Sequence, residues 1–214
     1  MDRNKPLALR YDKQGPQVVL ALQKRHFEAY YCATIEEAME KAMELIPENH
    51  VVSWGGSETI KEMGLLDRVK QQHTVIDRDT AKTPEERMEI MRKALLCDTF
   101  LMSSNAISED GQLVNIDGNG NRVAAMCYGP KSVIVIAGMN KVVKTAADAM
   151  QRARTIAAPS VVQRFPLIKT PCYSQGCCQD CLSPESACAY LVTTRVCRPA
   201  HRIKVILIGE IIGL

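Results

Sequence analysis

No stretch of this 214-residue chain approaches the roughly 18 apolar residues that cross a bilayer as a helix. Its first residues, Met1-Asp2-Arg3-Asn4-Lys5-Pro6, are polar and lack the apolar core of a secretion signal. The expected location is therefore the cytoplasm, without membrane contact. An excess of one charge is missing too: 27 Lys and Arg face 24 Asp and Glu, leaving +3 spread along the chain. That balance lacks the electrostatic footprint of a nucleic-acid binder. The four histidines, His26, His50, His73 and His201, fall without ligand spacing. There is no internal repeat and no low-complexity linker. With 46% hydrophobic and 24% charged residues, the chain is expected to form one soluble domain over residues 1–214 with a small C-terminal appendage.

Cysteine is what the chain does have: nine, six of them in its last fifth. In a reducing compartment an odd set speaks against a disulfide framework and for metal ligation or redox chemistry where thiols cluster. Cys172, Cys178, Cys181 and Cys188 form a C-x5-C-x2-C-x6-C run whose gaps let one ion or cluster collect all four thiolates. Such a set holds zinc as a closed tetrahedral staple, or an iron–sulfur cluster that moves single electrons. Spacing does not choose between them, and free thiols are the plain alternative. Cys177 and Cys197 are spare ligands; the isolated Cys32, Cys97 and Cys127 read as buried small residues. The run marks a Cys-rich insertion, residues 170–200, ahead of the final strand.

Helical periodicity predicts helices over residues 17–28, 34–46, 83–95 and 145–157. Thr34 with Glu37, and Thr83 with Pro84 and Glu86, carry the start signals of two of them. Ile35, Ala38, Met39, Ala42, Leu45 and Ile46 form the inner face of the first of these, while Met88 and Met91 read as core filling in the other. Ala146, Ala149, Met150, Ala153 and Ile156 form the inner face of the last helix. Short apolar strands are expected at residues 51–54, 74–76, 99–103, 123–127, 132–137 and 204–208. Several are apolar on consecutive residues, as strands covered on both faces are. The result is a doubly wound α/β sheet. Arg195, Arg198, Arg202 and Lys204 read as a solvated approach to the last strand.

Two loop regions carry chemistry. Gly55 and Gly56, between strand and helix, let a ligand approach the backbone. The helix-start N–H groups with the Ser57 and Thr59 hydroxyls would hold a phosphate or carboxylate. A plain glycine turn into a capped helix, closing at Gly64, explains the same residues. The second region holds Asn105 and Gly111, then Asp117, Gly118, Gly120 and Asn121 close behind. At the carboxyl ends of parallel strands these form a polar, ligand-binding crevice; a pair of tight turns is the bland alternative. Glu109 and Asp110, the adjacent acids, are the candidate catalytic bases, or else exposed turn carboxylates.

The ordered stretches Gly55-Gly56-Ser57-Glu58-Thr59, Ser104-Asn105-Ala106-Ile107-Ser108-Glu109-Asp110-Gly111 and Asn115-Ile116-Asp117-Gly118-Asn119-Gly120-Asn121-Arg122-Val123 resemble the signatures of the lactate-utilisation (LUD) domain family. Tyr128-Gly129-Pro130-Lys131, Gly138-Met139-Asn140-Lys141, Ala157-Ala158-Pro159 and Thr170-Pro171-Cys172 continue the resemblance to Val205-Ile206-Leu207-Ile208-Gly209-Glu210. It implies a fold similar to ribose-5-phosphate isomerase, glucosamine-6-phosphate deaminase and the CoA transferases, with an anion on the first glycine loop. Asn105 stands where the isomerases carry an acid. Neither their Lys-bearing catalytic segment nor a CoA-transferase glutamate has a counterpart. The resemblance further implies a role in bacterial oxidation of L-lactate to pyruvate beside separate iron–sulfur proteins. Pro171-Cys172 and the Cys178 to Cys181 step are similar to a cysteine-bearing branch of the family. Two other readings stand beside this one: a stand-alone isomerase or CoA-transferase-like enzyme, and a non-catalytic anion-binding regulator. The oligomeric state, including a homo-oligomer, is left open.

Overall fold

The computed structural model describes residues 5–166 and 168–214. Helix α1 (Lys5–Lys24) leads into β1 (Glu28–Cys32) and α2 (Ile35–Glu44). Strand β2 (Val52–Trp54) is followed by α3 (Glu58–Glu62) and α4 (Leu65–Gln72), and β3 (Val75–Ile76) by α5 (Pro84–Ala94). Strand β4 (Thr99–Met102) opens into the hairpin β5 (Ala106–Ser108) and β6 (Leu113–Asp117), then α6 (Asn121–Cys127) and β7 (Ser132–Gly138). The chain ends with β8 (Val142–Val143), α7 (Ala146–Arg152), α8 (Ala158–Val162), α9 (Pro171–Gln175), β9 (Tyr190–Thr194) and β10 (Ile203–Ile208).

Six strands form a parallel sheet in the order β1-β10-β7-β4-β2-β3. Its central strand β7 is buried along its whole length, and its side chains divide between two cores. Val133 and Val135 pack with Tyr11, Val18 and Leu22 of α1; Ile134 and Ile136 pack with Ala38 and Ala42 of α2 on the other face. Helices on both faces explain the unbroken apolar runs, because neither set of side chains meets water. The sheet is doubly wound, as its sequence pattern predicts. A second sheet, β8-β5-β6-β9, grows out of the loop after β4 and packs its own small core, including Ala106 and Val114, against Ala149 of α7.

The start signals act nearly as read. Thr34 accepts from Glu37 N and Thr83 from Glu86 N, but Glu37 and Glu86 reach Ala33 N and Lys82 N, one residue before each cap. The reciprocal capping box closes instead at Thr145 and Asp148, the start of α7.

Several expectations are corrected. The first helix runs from residue 5 to 24 rather than 17 to 28. Pro16 sits inside it, and Gly15 is there because a Cβ would lie 2.2 Å from the Tyr31 ring. Glu28 instead begins β1, whose pairing with β10 outweighs any local helical preference. Residues 123–127 are helical, not a strand. Gly120 enters α6 in the left-handed region, Val123 and Met126 face inward, and Ala124 and Cys127 face out. Arg202 is not solvated: it donates to the Ala125, Met126 and Pro130 carbonyls and closes the end of that helix. Cys127 is exposed, whereas Cys32 and Cys97 are buried. Met88 is 49% exposed and Met91 half-buried, because α5 turns only Ala94 fully inward. Ile156 is exposed because a π-helical turn, Ala153–Ala157, interrupts the helix and rotates its face.

Candidate anion-binding cleft

The carboxyl ends of β2, β3, β4 and β7 open into a cleft of about 660 Å³. Its walls come from the loops that follow those strands: Gly55 to Ser57, Arg78 and Asp79, Ser103 to Asn105, and Lys141. Ile116 to Asn119 at the end of β6 close one side. The position follows from the topology, since open α/β sheets leave a crevice beyond the strand ends where neighbouring crossovers diverge.

Arg122, whose side chain is 11% exposed, ties these loops together. One terminal nitrogen donates to Ser103 O (2.9 Å) and Asn115 Oδ1 (2.6 Å), the other to Asn105 Oδ1 (3.0 Å) and Ile116 O (2.6 Å). Its Nε lies 3.4 Å from Asp117 Oδ2, while Asp117 Oδ1 accepts from Asn119 N and Gly120 N. A buried guanidinium satisfied by four acceptors and a carboxylate is a scaffold, because breaking such a set strands a charge. The same residue accounts for Gly55, whose Cβ would lie 2.8 Å from Arg122 Cδ. Gly56 makes room for Arg78, whose terminal nitrogen would lie 2.6 Å from a Cβ there. The glycine loop thus admits two arginines against its backbone.

Six cations line the cleft, Lys61, Arg78, Arg87, Arg122, Lys141 and Arg164, against the four acids Glu58, Asp79, Asp117 and Glu185, so its interior carries net positive charge. Arg164 pairs with Glu58 at 2.7 Å and Arg87 with Asp79 at 2.9 Å. Arg78 is left with the shared Asp79 at 3.8 Å, and its buried Nε has no hydrogen-bond partner among the described residues. Its guanidinium is pressed below its ordinary pKa, first by burial and then by Arg87.

Lys141, 3% exposed, stands on a 3₁₀ turn just beyond β7. Its amine donates to Thr59 Oγ1 at 2.8 Å and Ser103 Oγ at 3.1 Å, and Thr59 in turn donates to Ser103 at 3.3 Å. Among the described residues no carboxylate forms an ion pair with it. Burial first, then the Arg152 and Arg122 charges, bring its pKa down to about 7, with Glu62 opposing. Desolvation and the cationic neighbours together make this a partly neutral amine at neutral pH.

The cleft collects most of the candidate ligand-binding residues. Gly55, Gly56, Ser57, Asn105, Asp117, Gly118 and Asn121 line it. Thr59 lies behind the wall as the partner of Lys141, and Ser57 caps α3 by accepting from Ile60 N. Gly120 caps α6 in the left-handed region with the Tyr190 ring against it. Glu109, Asp110 and Gly111 lie elsewhere, at the β5–β6 turn against α1. Glu109 accepts from Gln14 (3.0 Å) and Lys144 (2.6 Å); Asp110 pairs with Arg25 and accepts from Gln112. These pairings take the two carboxylates out of the cleft chemistry. Sequence reading did not single out Lys141, Arg78 or Arg122. Arg122 and Lys141 stood inside quoted motifs, but nothing in the linear pattern distinguishes a buried, acid-free lysine from a solvated one.

The Cys-rich insertion forms another wall: Pro184, Glu185, Ser186 and Ala187 line the cleft, and Gly118 is close enough that a Cβ would lie 3.4 Å from Ala187 Cα and Ser186 O. Cys188 follows directly. Its thiol pKa is raised by burial first and then by the charges of Cys178, Cys172 and Cys181, so the four sulfurs gather about one region. Gathered is not yet ligating: among the described residues no three His, Cys, Asp or Glu side chains are spaced to grip an ion. Cys197 belongs to the hydrophobic core, accepting from Ile203 N, and is removed from the spare-ligand set; Cys177 is exposed.

No curated protein sequence matches the chain. Among solved structures it is similar to a DUF162 family protein from Deinococcus radiodurans at 13% identity and a TM-score of 0.53, over 92% of this chain and 98% of that one. That likeness shows the fold alone. Ribose 5-phosphate isomerases A from Methanocaldococcus jannaschii and Neisseria gonorrhoeae align at TM-scores of 0.35 and 0.34. They are 17% and 15% identical, over 61% and 59% of this chain and 64% and 61% of theirs, a distance that carries no functional weight. The LUD domain model matches residues 16–208. The chain belongs to the LUD domain family, which ties it to lactate utilisation.

Proposed function

We propose that the cleft binds a small anion, a 2-hydroxy or 2-oxo acid or a phosphate, as one component of the oxidation of L-lactate to pyruvate beside iron–sulfur partner proteins. The observation that carries this reading is the excess of basic over acidic side chains lining the cleft, with Arg78 left only a 3.8 Å pairing to a shared Asp79. A cationic pocket of this kind favours a carboxylate or phosphoryl group, which accepts charge-assisted hydrogen bonds from a guanidinium. A stand-alone isomerase with Glu109 or Asp110 as base is disfavoured, since both carboxylates are paired outside the cleft.

Cys172, Cys178, Cys181 and Cys188 supply a soft, all-thiolate donor set that suits zinc or an iron–sulfur cluster. Zinc would staple the cleft wall; an iron–sulfur cluster would supply single-electron transfer. The protein's own residues set what happens in the cleft: Arg78 orients the anion, Arg122 holds the loops, and Pro184 to Ala187 form one wall.

Calorimetric titration of the purified chain with L-lactate, pyruvate and inorganic phosphate tests the reading. At least one should bind, and Arg78→Met should weaken it by about ten- to a hundredfold, the worth of one charged hydrogen bond. Absence of binding by all three sinks it. Iron content and visible absorption of anaerobically prepared protein decide the metal: a colourless, iron-free product that resists reconstitution removes the electron-transfer version.

A further inference from the structure

Lys141 is a primary amine on the floor of a ligand-sized cleft, held only by two hydroxyls. The charged groups facing it are Arg152 from α7, Arg122 from α6 and Glu62 from α3, two cations against one acid. An amine used purely as an anion anchor gains from a neighbouring carboxylate that keeps it protonated; these surroundings do the reverse. An uncharged amine is a nucleophile, and desolvation beside cations is a recognised way of preparing a lysine for attack on a carbonyl.

We propose that Lys141 Nζ condenses reversibly with the C2 carbonyl of a 2-oxo acid to form an imine, the acid's carboxylate being held on the Arg78 side of the cleft. This rests on the anion-binding reading and narrows it to a carbonyl-bearing ligand. The amine lone pair attacks C2, and the carbonyl oxygen takes up a proton to give a carbinolamine. Loss of that oxygen as water, taking up the proton that the lysine ammonium shed before the attack, leaves the protonated imine, so ammonium and oxo acid become imine and water, and addition of water reverses the step. No electrons are exchanged with a further reactant. The Thr59 and Ser103 hydroxyls, 2.8 and 3.1 Å from Nζ, are placed to pass the proton between nitrogen and oxygen. Gly213 suits the same site, because a Cβ there would lie 2.1 Å from Thr59 Oγ1 and 3.1 Å from the amine.

The experiment is borohydride trapping of the full chain with pyruvate, read by intact mass and peptide mapping. The expected result is one reduced adduct per chain, located on Lys141 and abolished in Lys141→Arg, which keeps a cation but removes the amine. Excess L-lactate, which has no carbonyl, should compete for the cleft and suppress labelling. The trapping rate should rise as pH passes upward through about 7, as the amine loses its proton. Should Lys141→Arg fold poorly, the wild-type peptide map still decides. Calorimetric binding of pyruvate with no adduct, or with adducts spread over exposed lysines and Lys141 unmodified, overturns the imine and leaves the anion-binding reading standing. Failure of pyruvate, lactate and phosphate all to bind overturns both.

Discussion

Lys141 and Gly111 show how differently single residues depend on their surroundings. The lysine has a folded-state pKa near 7 against an ordinary 10.5, so between those values the unfolded chain binds more protons than the folded one. Its depressed value therefore costs stability in full below about pH 7, and that cost disappears as pH rises toward 10.5. Relative to Lys141→Met, wild-type stability measured by urea melts should climb across that window and stay flat below it; parallel curves would mean the amine is not depressed. Gly111 has φ +86°, and a Cβ would meet the Ala21 and Leu22 backbone of α1 at 2.7 Å. Gly111→Ala should lose about 2 kcal/mol or more in thermal or urea melts, from left-handed strain plus a clash with unyielding backbone. Pyruvate affinity should not change. A glycine in a turn is legible in sequence as a conformational need, but the partner that fixes its role is not. Gly111 answers to α1, Gly56 to Arg78, and Gly55 to an arginine 67 positions later.

At the scale of elements, local chemistry was readable where it is local. The Thr34, Thr83 and Thr145 caps each act within three residues of themselves, and β7 and β10 announce burial on both faces by consecutive apolar side chains. What pairing decides was not readable. Strand β1 exists because β10 lies beside it, and β5, β6 and β9 exist as a second sheet, which a run of Asn, Asp and Gly read as turns had hidden. Residues 123–127 are apolar enough for a strand, yet a left-handed Gly120 and an arginine 75 or more positions away fix them as helix α6. Thr145→Ala tests the local kind of stability. It removes the reciprocal box with Asp148 and should cost about 1 kcal/mol by thermal melts. Ligand binding should be unaffected, because α7 touches the cleft only through Arg152 behind Asn105. A loss well above that value would show that the box also holds the π-helical turn that follows it.

For the whole molecule, the question is how the Cys-rich insertion and the cleft relate. Pro184 to Ala187 form a wall of the cleft, and Cys181 and Cys188 stand just to either side of that stretch. Between Gly176 and Cys188 the insertion is tied down by few other bonds: Ser183 donates to Lys169 O, Lys169 N donates to Glu185, and Arg154 pairs with Asp180. Ion binding at the thiolates would therefore restrict the wall directly, closing a loop whose ordering otherwise rests on a handful of exposed hydrogen bonds. Binding that fixes the wall lowers the ordering cost that a cleft ligand must meet, so metal and ligand should couple positively. Chelation of metal-loaded protein, or the Cys181→Ser/Cys188→Ser pair, should then weaken pyruvate binding about five- to tenfold by calorimetry, the size of an ordinary coupling between sites. The main melting transition should move little, because the stretch from Cys172 to Cys188 adds no buried residue to the two large cores on the faces of the six-stranded sheet. Equal affinity in loaded, chelated and doubly substituted protein would mean the wall is set by the polypeptide alone. The cysteine run would then serve electron transfer or a partner, not the cleft.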